Sequence, residues 1–235
     1  MRILAVIPCY NEEASVGDVV GSLQTACPEM DILVINDGSR DKTAEAAAAA
    51  GAKVARLPYN MGIGAAMQTG FLYAKAYGYD IAVQVDGDGQ HDPAEVRKIL
   101  EPIQEGRADI VVGSRFISGG GFKSTPMRRL GIKAFAKVLT VMTGQTLTDP
   151  TSGFRAVGKK VINLFAEEYP QDYPEVESLL LVHLAKLRIE EEQVVMRARS
   201  GGRSSITPLK SAYYMVKVMM VLFIWLIRKK PEMEA

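Results

Sequence analysis

Two carboxylates one residue apart, Asp86 and Asp88, stand among glycines in Gln84-Val-Asp-Gly-Asp-Gly-Gln-His-Asp-Pro93, directly after an apolar run. Acids at that spacing at a strand end can both turn toward one ligand. Hard divalent cations take oxygen donors, and Mg²⁺ or Mn²⁺ commonly joins one or two carboxylates to substrate phosphates. Gln90 offers a further amide oxygen, and Gly87 and Gly89 would let the backbone approach a diphosphate. Asp92 and Pro93 need no ligand, because they read as a helix N-cap followed by proline at the first helical position. His91 lies beside the acids, within reach of a ligand, but is not cast as a base. The series is no EF-hand, since no glutamate follows at the required distance.

Further polar residues recur at the ends of other apolar runs. Asp37-Gly-Ser39 places an acid that can accept from a base or ribose, with Ser39 or Asp41 as cap for the alanine-rich stretch that follows. Asn60-Met-Gly-Ile-Gly64 resembles a dinucleotide-binding loop but lacks its third glycine, so close packing or ligand approach is the better reading. Arg115, Arg128, Arg129, Arg199 and Arg203 fall in expected loops or at element ends. Arginines there either clamp phosphates or line a solvated basic face.

The elements that carry these residues alternate through the first half. Strands are expected at Ile3–Ile7, Asp31–Asn36, Lys53–Leu57, Ile81–Asp86 and Ile110–Gly113, and helices at Glu13–Ala26, Asp41–Ala50, Ile63–Tyr77 and Asp92–Glu105. Such alternation means right-handed crossovers and a mostly parallel sheet, with ligands bound outside the carboxyl ends of its strands. The second half breaks the pattern. Gly119–Gly121 reads as a loop, Arg128–Thr143 as an amphipathic helix and Thr148–Arg155 as a polar loop. A helix near Val176–Leu187, a strand near Gln193–Arg197 and a glycine-serine loop at Ser200–Ser205 follow.

The bulk numbers exclude some classes. The 235 residues carry a net charge of +1, which provides no field for nucleic acid. Two cysteines, Cys9 and Cys27, make no disulfide framework, and the first residues lack the pattern of a signal peptide, so a reducing cytosol is expected.

Taken in order, several motifs resemble glycosyltransferase family 2 of the GT-A fold, in its dolichyl-phosphate mannosyltransferase-like, polyprenyl-phosphate branch. They are Ile7-Pro-Cys-Tyr-Asn-Glu-Glu13, Asp37-Gly-Ser-Arg-Asp-Lys-Thr43, Asn60-Met-Gly-Ile-Gly-Ala65, Asp86-Gly-Asp-Gly-Gln-His91, Gly113-Ser-Arg115, Asp149-Pro-Thr-Ser-Gly-Phe-Arg155 and Arg199-Ser-Gly-Gly-Arg-Ser204. The resemblance implies an α/β GT-A domain over residues 1–205, with a nucleotide-sugar half (1–115) and an acceptor half (116–205). Pro8, Tyr10, Glu12 and Asp37 would hold the base and ribose of a UDP- or GDP-linked sugar. Asp86 would contact the nucleotide, and Asp88 with Gln90 would ligate Mg²⁺ or Mn²⁺. Arg199 would meet the donor phosphates, while Arg115, Arg129 and Ser152 would serve the acceptor phosphate. Asp149 and the loop to Arg155 would line the sugar and acceptor site. The implied reaction is one inverting transfer of a hexose to a polyprenyl phosphate such as undecaprenyl phosphate, for cell-envelope glycans. No Gln-x-x-Arg-Trp motif occurs, which argues against a processive polymerase. A glycan acceptor, or a nucleotide-sugar-binding subunit of a membrane complex, stays open.

Residues 206–235 read as a separate helix. Ala212–Ile227 is apolar but shorter than a span needs and contains Lys217; Tyr213, Trp225 and Arg228-Lys-Lys230 suit a membrane interface. It can lie on the cytoplasmic face of the membrane, pack on a small membrane protein or a second copy, or be a core helix or span.

Overall fold

A computed structural model describes residues 1–117, 126–172 and 174–197, together with 217 and 220, and the backbone alone for 126–130. Seven strands form one sheet: β1 (Ile3–Cys9), β2 (Asp31–Asn36), β3 (Lys53–Arg56), β4 (Ile81–Gln84), β5 (Ile110–Ser114), β6 (Arg155–Gly158) and β7 (Ile189–Gln193). Among the described residues seven α-helices accompany them: α1 (Val16–Ala26), α2 (Thr43–Ala49), α3 (Ile63–Ala76), α4 (Val96–Gln104), α5 (Pro126–Thr143), α6 (Lys159–Glu167) and α7 (Pro174–Leu184). The strand order is β3-β2-β1-β4-β6-β5-β7. All pairs are parallel except those of β6, which runs antiparallel to both β4 and β5.

Every residue of β1 is buried, as expected of a strand covered on both faces. Its side chains alternate between two cores. Leu4 and Val6 join a cluster with Met67, Phe71 and Phe165 from α3 and α6, whereas Ile3, Ala5 and Ile7 join Val20 and Leu23 from α1 and Ile99 from α4. The sheet thus separates two apolar layers, and its carboxyl edge is left to polar loops.

Most of the expected elements of the first half stand within a few residues of their expected ends; the second half differs more. A strand and a helix, β6 and α6, occupy a stretch whose four-residue strand, Arg-Ala-Val-Gly, is too short for its alternation to register. β7 lies at Ile189–Gln193, four residues before the expected strand at Gln193–Arg197. Its sequence, Ile-Glu-Glu-Glu-Gln, hides it, because as an edge strand it uses acids to hold neighbours: Glu190 pairs with Arg107 at 2.5 Å and Glu191 accepts from Thr148 and Asp149. The apolar residues after it serve another purpose, with Met196 bridging to His91.

Candidate active site

β1 sends the chain to β2 on one side, while β4 lies on its other side, so the sheet reverses direction of build between β1 and β4. Crevices at such points are where open α/β sheets bind ligands. The loop after β4, which carries Asp86 and Asp88, opens into this crevice.

The loop is seated by close packing. A Cβ on Gly87 would fall 2.4 Å from the Cys9 sulfur at the end of β1. Glycine is therefore required there for the loop to lie on β1. Ser15, the residue before α1, donates its hydroxyl to the Gly87 carbonyl at 2.7 Å instead of capping its own helix. Burial, and next the charges of Glu12, Asp86 and Asp88, push the Cys9 thiol up, which excludes it as a nucleophile at neutral pH. The Asp86 side chain is 38% exposed, and one carboxylate oxygen accepts from Gln84 at 3.3 Å. Asp88 is 8% exposed and accepts from the Gln90 amide at 3.0 Å, an Asx-type turn that shapes the loop. Asp92 caps the next turn as expected, accepting from the Ala94 amide at 3.0 Å.

The loops after β1 and β2 are stitched to each other. The Asn11 amide donates to the Ser39 hydroxyl, and the Asn11 side chain accepts from the Arg40 amide at 2.9 Å. Glu13 accepts from the Lys42 amide, and the Glu12 amide donates to Thr43. Ser39 is thus spent on this seam and does not cap α2; Asp41 takes the Thr43 amide at 3.0 Å. Asp37 is buried, with its two oxygens accepting from the amides of Met61 at 2.7 Å and Gly62 at 2.9 Å. It holds the loop before α3 against the end of β2. Gly64 answers the packing alternative, since a Cβ there would stand 2.2 Å from the Gln171 carbonyl. Pro8 is buried at the end of β1, whereas the Tyr10 ring is exposed at the mouth of the crevice.

On the other side, Arg115 and Asp149 form a buried fork. Arg115 is 6% exposed and Asp149 0%. The guanidinium donates to the two carboxylate oxygens at 2.6 and 2.7 Å, the Arg115 amide adds a third bond at 3.1 Å, and Thr151 receives a fourth at 3.1 Å. Ser152 is buried, and its hydroxyl accepts from the Phe154 amide at 3.3 Å. Side chains of Arg128 and Arg129, residues 118–125, Arg199, Arg203 and the expected helix at 206–235 lie outside the described residues, save that Lys217 pairs with Asp172.

Two further residues hold this side in place: Glu191, which no motif in the sequence marks, and Arg155, expected only as the end of the loop that begins at Asp149. Glu191 on β7 accepts from the Thr148 amide and hydroxyl, each at 2.7 Å, and from the Asp149 amide at 2.9 Å. Burial raises its pKa, and those donors pull it back. Arg155, at the start of β6, donates to the carbonyls of Ser152 and Pro150 and to the Ser178 hydroxyl. Burial likewise raises Glu175, opposed by the Arg155 charge. A buried arginine among carbonyls has no sequence signature apart from its motif. Glu191 is one of three consecutive glutamates, and only the strand's pleat selects it.

Among the described residues, no three His, Cys, Asp or Glu side chains gather as a self-sufficient metal site. Two carboxylates with an amide oxygen are instead the donor set of a cation that completes its shell with phosphate and water oxygens. The local space agrees: a Cβ on Gly153 would lie 3.5 Å from both Asp86 oxygens, so the carboxylate faces a residue without a side chain. Asp86, Asp88 and Gln90 fit Mg²⁺ or Mn²⁺ bound together with a diphosphate.

Comparison with known proteins agrees with this geometry. Residues 4–165 match the family model "Glycosyl transferase family 2". The chain is 36% identical over 168 residues to a polyprenol monophosphomannose synthase of Mycolicibacterium smegmatis, covering 68% of this chain and 63% of that protein. It is 38% identical over 162 residues to an undecaprenyl-phosphate mannosyltransferase of Micrococcus luteus, covering 66% of each. The chain therefore spans just under two thirds of the length of these two relatives. Its fold superposes with a TM-score of 0.73 on glucosyl-3-phosphoglycerate synthase from Mycobacterium tuberculosis, solved with Mn²⁺, uridine diphosphate and glucosyl-3-phosphoglycerate. That match, at 21% identity, covers 95% of this chain and 79% of the other. The fold is that of the GT-A glycosyltransferases.

Proposed function

The chain belongs to glycosyl transferase family 2, and from that premise we propose that it transfers one sugar from a nucleoside diphosphate sugar to a polyprenyl phosphate. The observation that carries the reading is the Asp86–Asp88 loop, seated on β1 at the point where the sheet reverses and offering a part-exposed carboxylate to the crevice.

Each part of the site has a task on this reading. Pro8, Tyr10, Glu12 and Asp37, at the ends of β1 and β2 and in the loops after them, would hold the base and ribose of a UDP- or GDP-linked donor. Asp86, Asp88 and Gln90 would hold Mg²⁺ or Mn²⁺. A cation there supplies positive charge to the diphosphate as it leaves. Arg199 adds a fixed positive charge on the same phosphates. Asp149 orients Arg115, which with Arg129 and Ser152 receives the acceptor phosphate. That phosphate is already an anion at neutral pH, so transfer needs no strong general base, and inversion at the anomeric carbon follows from a single displacement. The relatives named for polyprenol and undecaprenyl phosphate support this acceptor class.

The substrate places the enzyme at the cytoplasmic surface of a membrane. No helix among the described residues is long and apolar enough to cross one. Residues 206–227 are the candidate for attachment, directly or through a small membrane protein or a second copy.

The test is to incubate the purified chain with Mn²⁺ or Mg²⁺, labelled UDP- and GDP-sugars, and undecaprenyl phosphate in detergent. Label is expected in the organic phase with at least one donor. Label on added saccharides but never on lipid would overturn the acceptor class, and no transfer with any donor would overturn the activity.

A further inference from the structure

We infer that His91 is a positioning residue that fixes both the backbone and the carboxylate of Asp86, and thereby sets the affinity of the site for its divalent cation. The inference rests on the reading of Asp86 and Asp88 as cation-holding carboxylates.

The contacts come from one ring. The Asp86 amide donates to Nδ1 of His91 at 3.0 Å. A backbone N–H can only donate, so Nδ1 presents its lone pair and the proton of the neutral ring sits on Nε2. Nε2 lies 3.4 Å from the second Asp86 oxygen, while Gln84 donates to the first at 3.3 Å. Asp86 is therefore held by hydrogen bonds at its amide and at one carboxylate oxygen, with the ring's other nitrogen close beside the second oxygen.

The ring itself has little freedom. His91 is 4% exposed and stacks on Phe154 with centroids 4.7 Å apart and planes 22° from parallel. Its backbone bridges to Met196, and the neighbouring Gln90 carbonyl accepts from the Arg197 amide at 2.8 Å. Arg197 also pairs with Asp92 at 2.8 Å. The imidazole is thus clamped between the loop ending in β6 and the segment that follows β7, and it passes that rigidity to Asp86. Neither nitrogen is left as a metal ligand, because Nδ1 is engaged and Nε2 carries the proton. Outer partners of this kind hold a ligating carboxylate in register, and their loss commonly weakens metal binding about 10–100-fold.

Mn²⁺ affinity, measured by calorimetry on the full chain in the presence of UDP and separately of GDP, tests the inference without reference to transfer. His91→Phe keeps the stacked ring and removes both polar contacts. His91→Asn places an amide oxygen near the position of Nδ1 and can accept again from the Asp86 amide. We expect His91→Phe to lose about tenfold or more in Mn²⁺ affinity, and His91→Asn to recover part of that loss even where its melting temperature is the lower of the two. Unchanged Mn²⁺ affinity in a folded His91→Phe chain would overturn the inference. Affinity that merely follows melting temperature across the variants, with no recovery by asparagine, would do the same. If the parent chain itself binds no Mn²⁺ with either nucleotide, the cation reading of Asp86 and Asp88 falls first, and this one with it.

Discussion

Arg115 and Arg155 are both buried on the acceptor side, and their partners differ in kind. Arg155 donates to carbonyls and a hydroxyl, whereas Arg115 donates to both oxygens of one carboxylate and to the Thr151 hydroxyl. Removing that carboxylate leaves a charge in the interior, which typically costs about 3–5 kcal/mol. Asp149→Ala should therefore lower the melting temperature by roughly 6–20 °C, read by circular dichroism. The paired change Arg115→Met with Asp149→Leu should recover most of it, because an apolar pair of similar volume replaces a buried ion pair at little cost. Asp88 behaves differently. Its carboxylate shapes the turn to Gln90, and as a proposed cation ligand its loss in Asp88→Ala should cut transfer at least about a hundredfold in a chain that still folds, read by circular dichroism. Full turnover in that variant would remove Asp88 from the cation site. At this scale the sequence was most legible where local structure alone sets a residue's task. Asp92 is the helix cap expected of it. It was least legible where one residue type serves two ends: Ser39 read as a cap, and the fold uses it to tie loops, while Asp37 also anchors the loop before α3.

The strands and helices show a similar split. Long apolar runs declared themselves, and β2 stands at the expected residues. β6 and β7 did not, since one is four residues long and the other is written in glutamate. The cost of missing β7 was Glu191, which clasps the loop bearing Asp149. That clasp carries a pH signature. Burial lifts the folded pKa of Glu191 above its unfolded value of about 4.3, so between the two the folded chain binds more protons than the unfolded one. Its contribution to stability is present in full below the unfolded value and is lost as pH rises through the folded one. Glu191→Gln removes that slope. The melting temperature of the variant minus that of the parent should rise from about pH 4 toward neutrality. A flat difference would show that Glu191 does not titrate in that window.

For the molecule as a whole, the proposed donor site draws on loops from β1, β2 and β4, and the proposed acceptor side on β5, β6 and β7, all in one sheet. A ligand bound there stabilises the entire fold. UDP or GDP with Mn²⁺ at a hundred times its dissociation constant should add about 2.7 kcal/mol, or roughly 5–11 °C, in a thermal melt. A chelator should abolish the shift; a shift that survives it would mean the nucleotide binds without the cation. The reversed strand β6 has a consequence for how the chain is made. β4 and β5 each bond to β6 and not to one another. Until Arg155–Gly158 has been synthesised, the first 114 residues can assemble only β1 to β4, with the outer margin of β4 bare and β5 without a place. Translation of the intervening stretch of about 40 residues takes roughly 2–8 s, and a bare margin is a template for foreign strands. The same four residues that deliver the acceptor loop to the crevice thus end the period in which the nascent chain is open to misassembly.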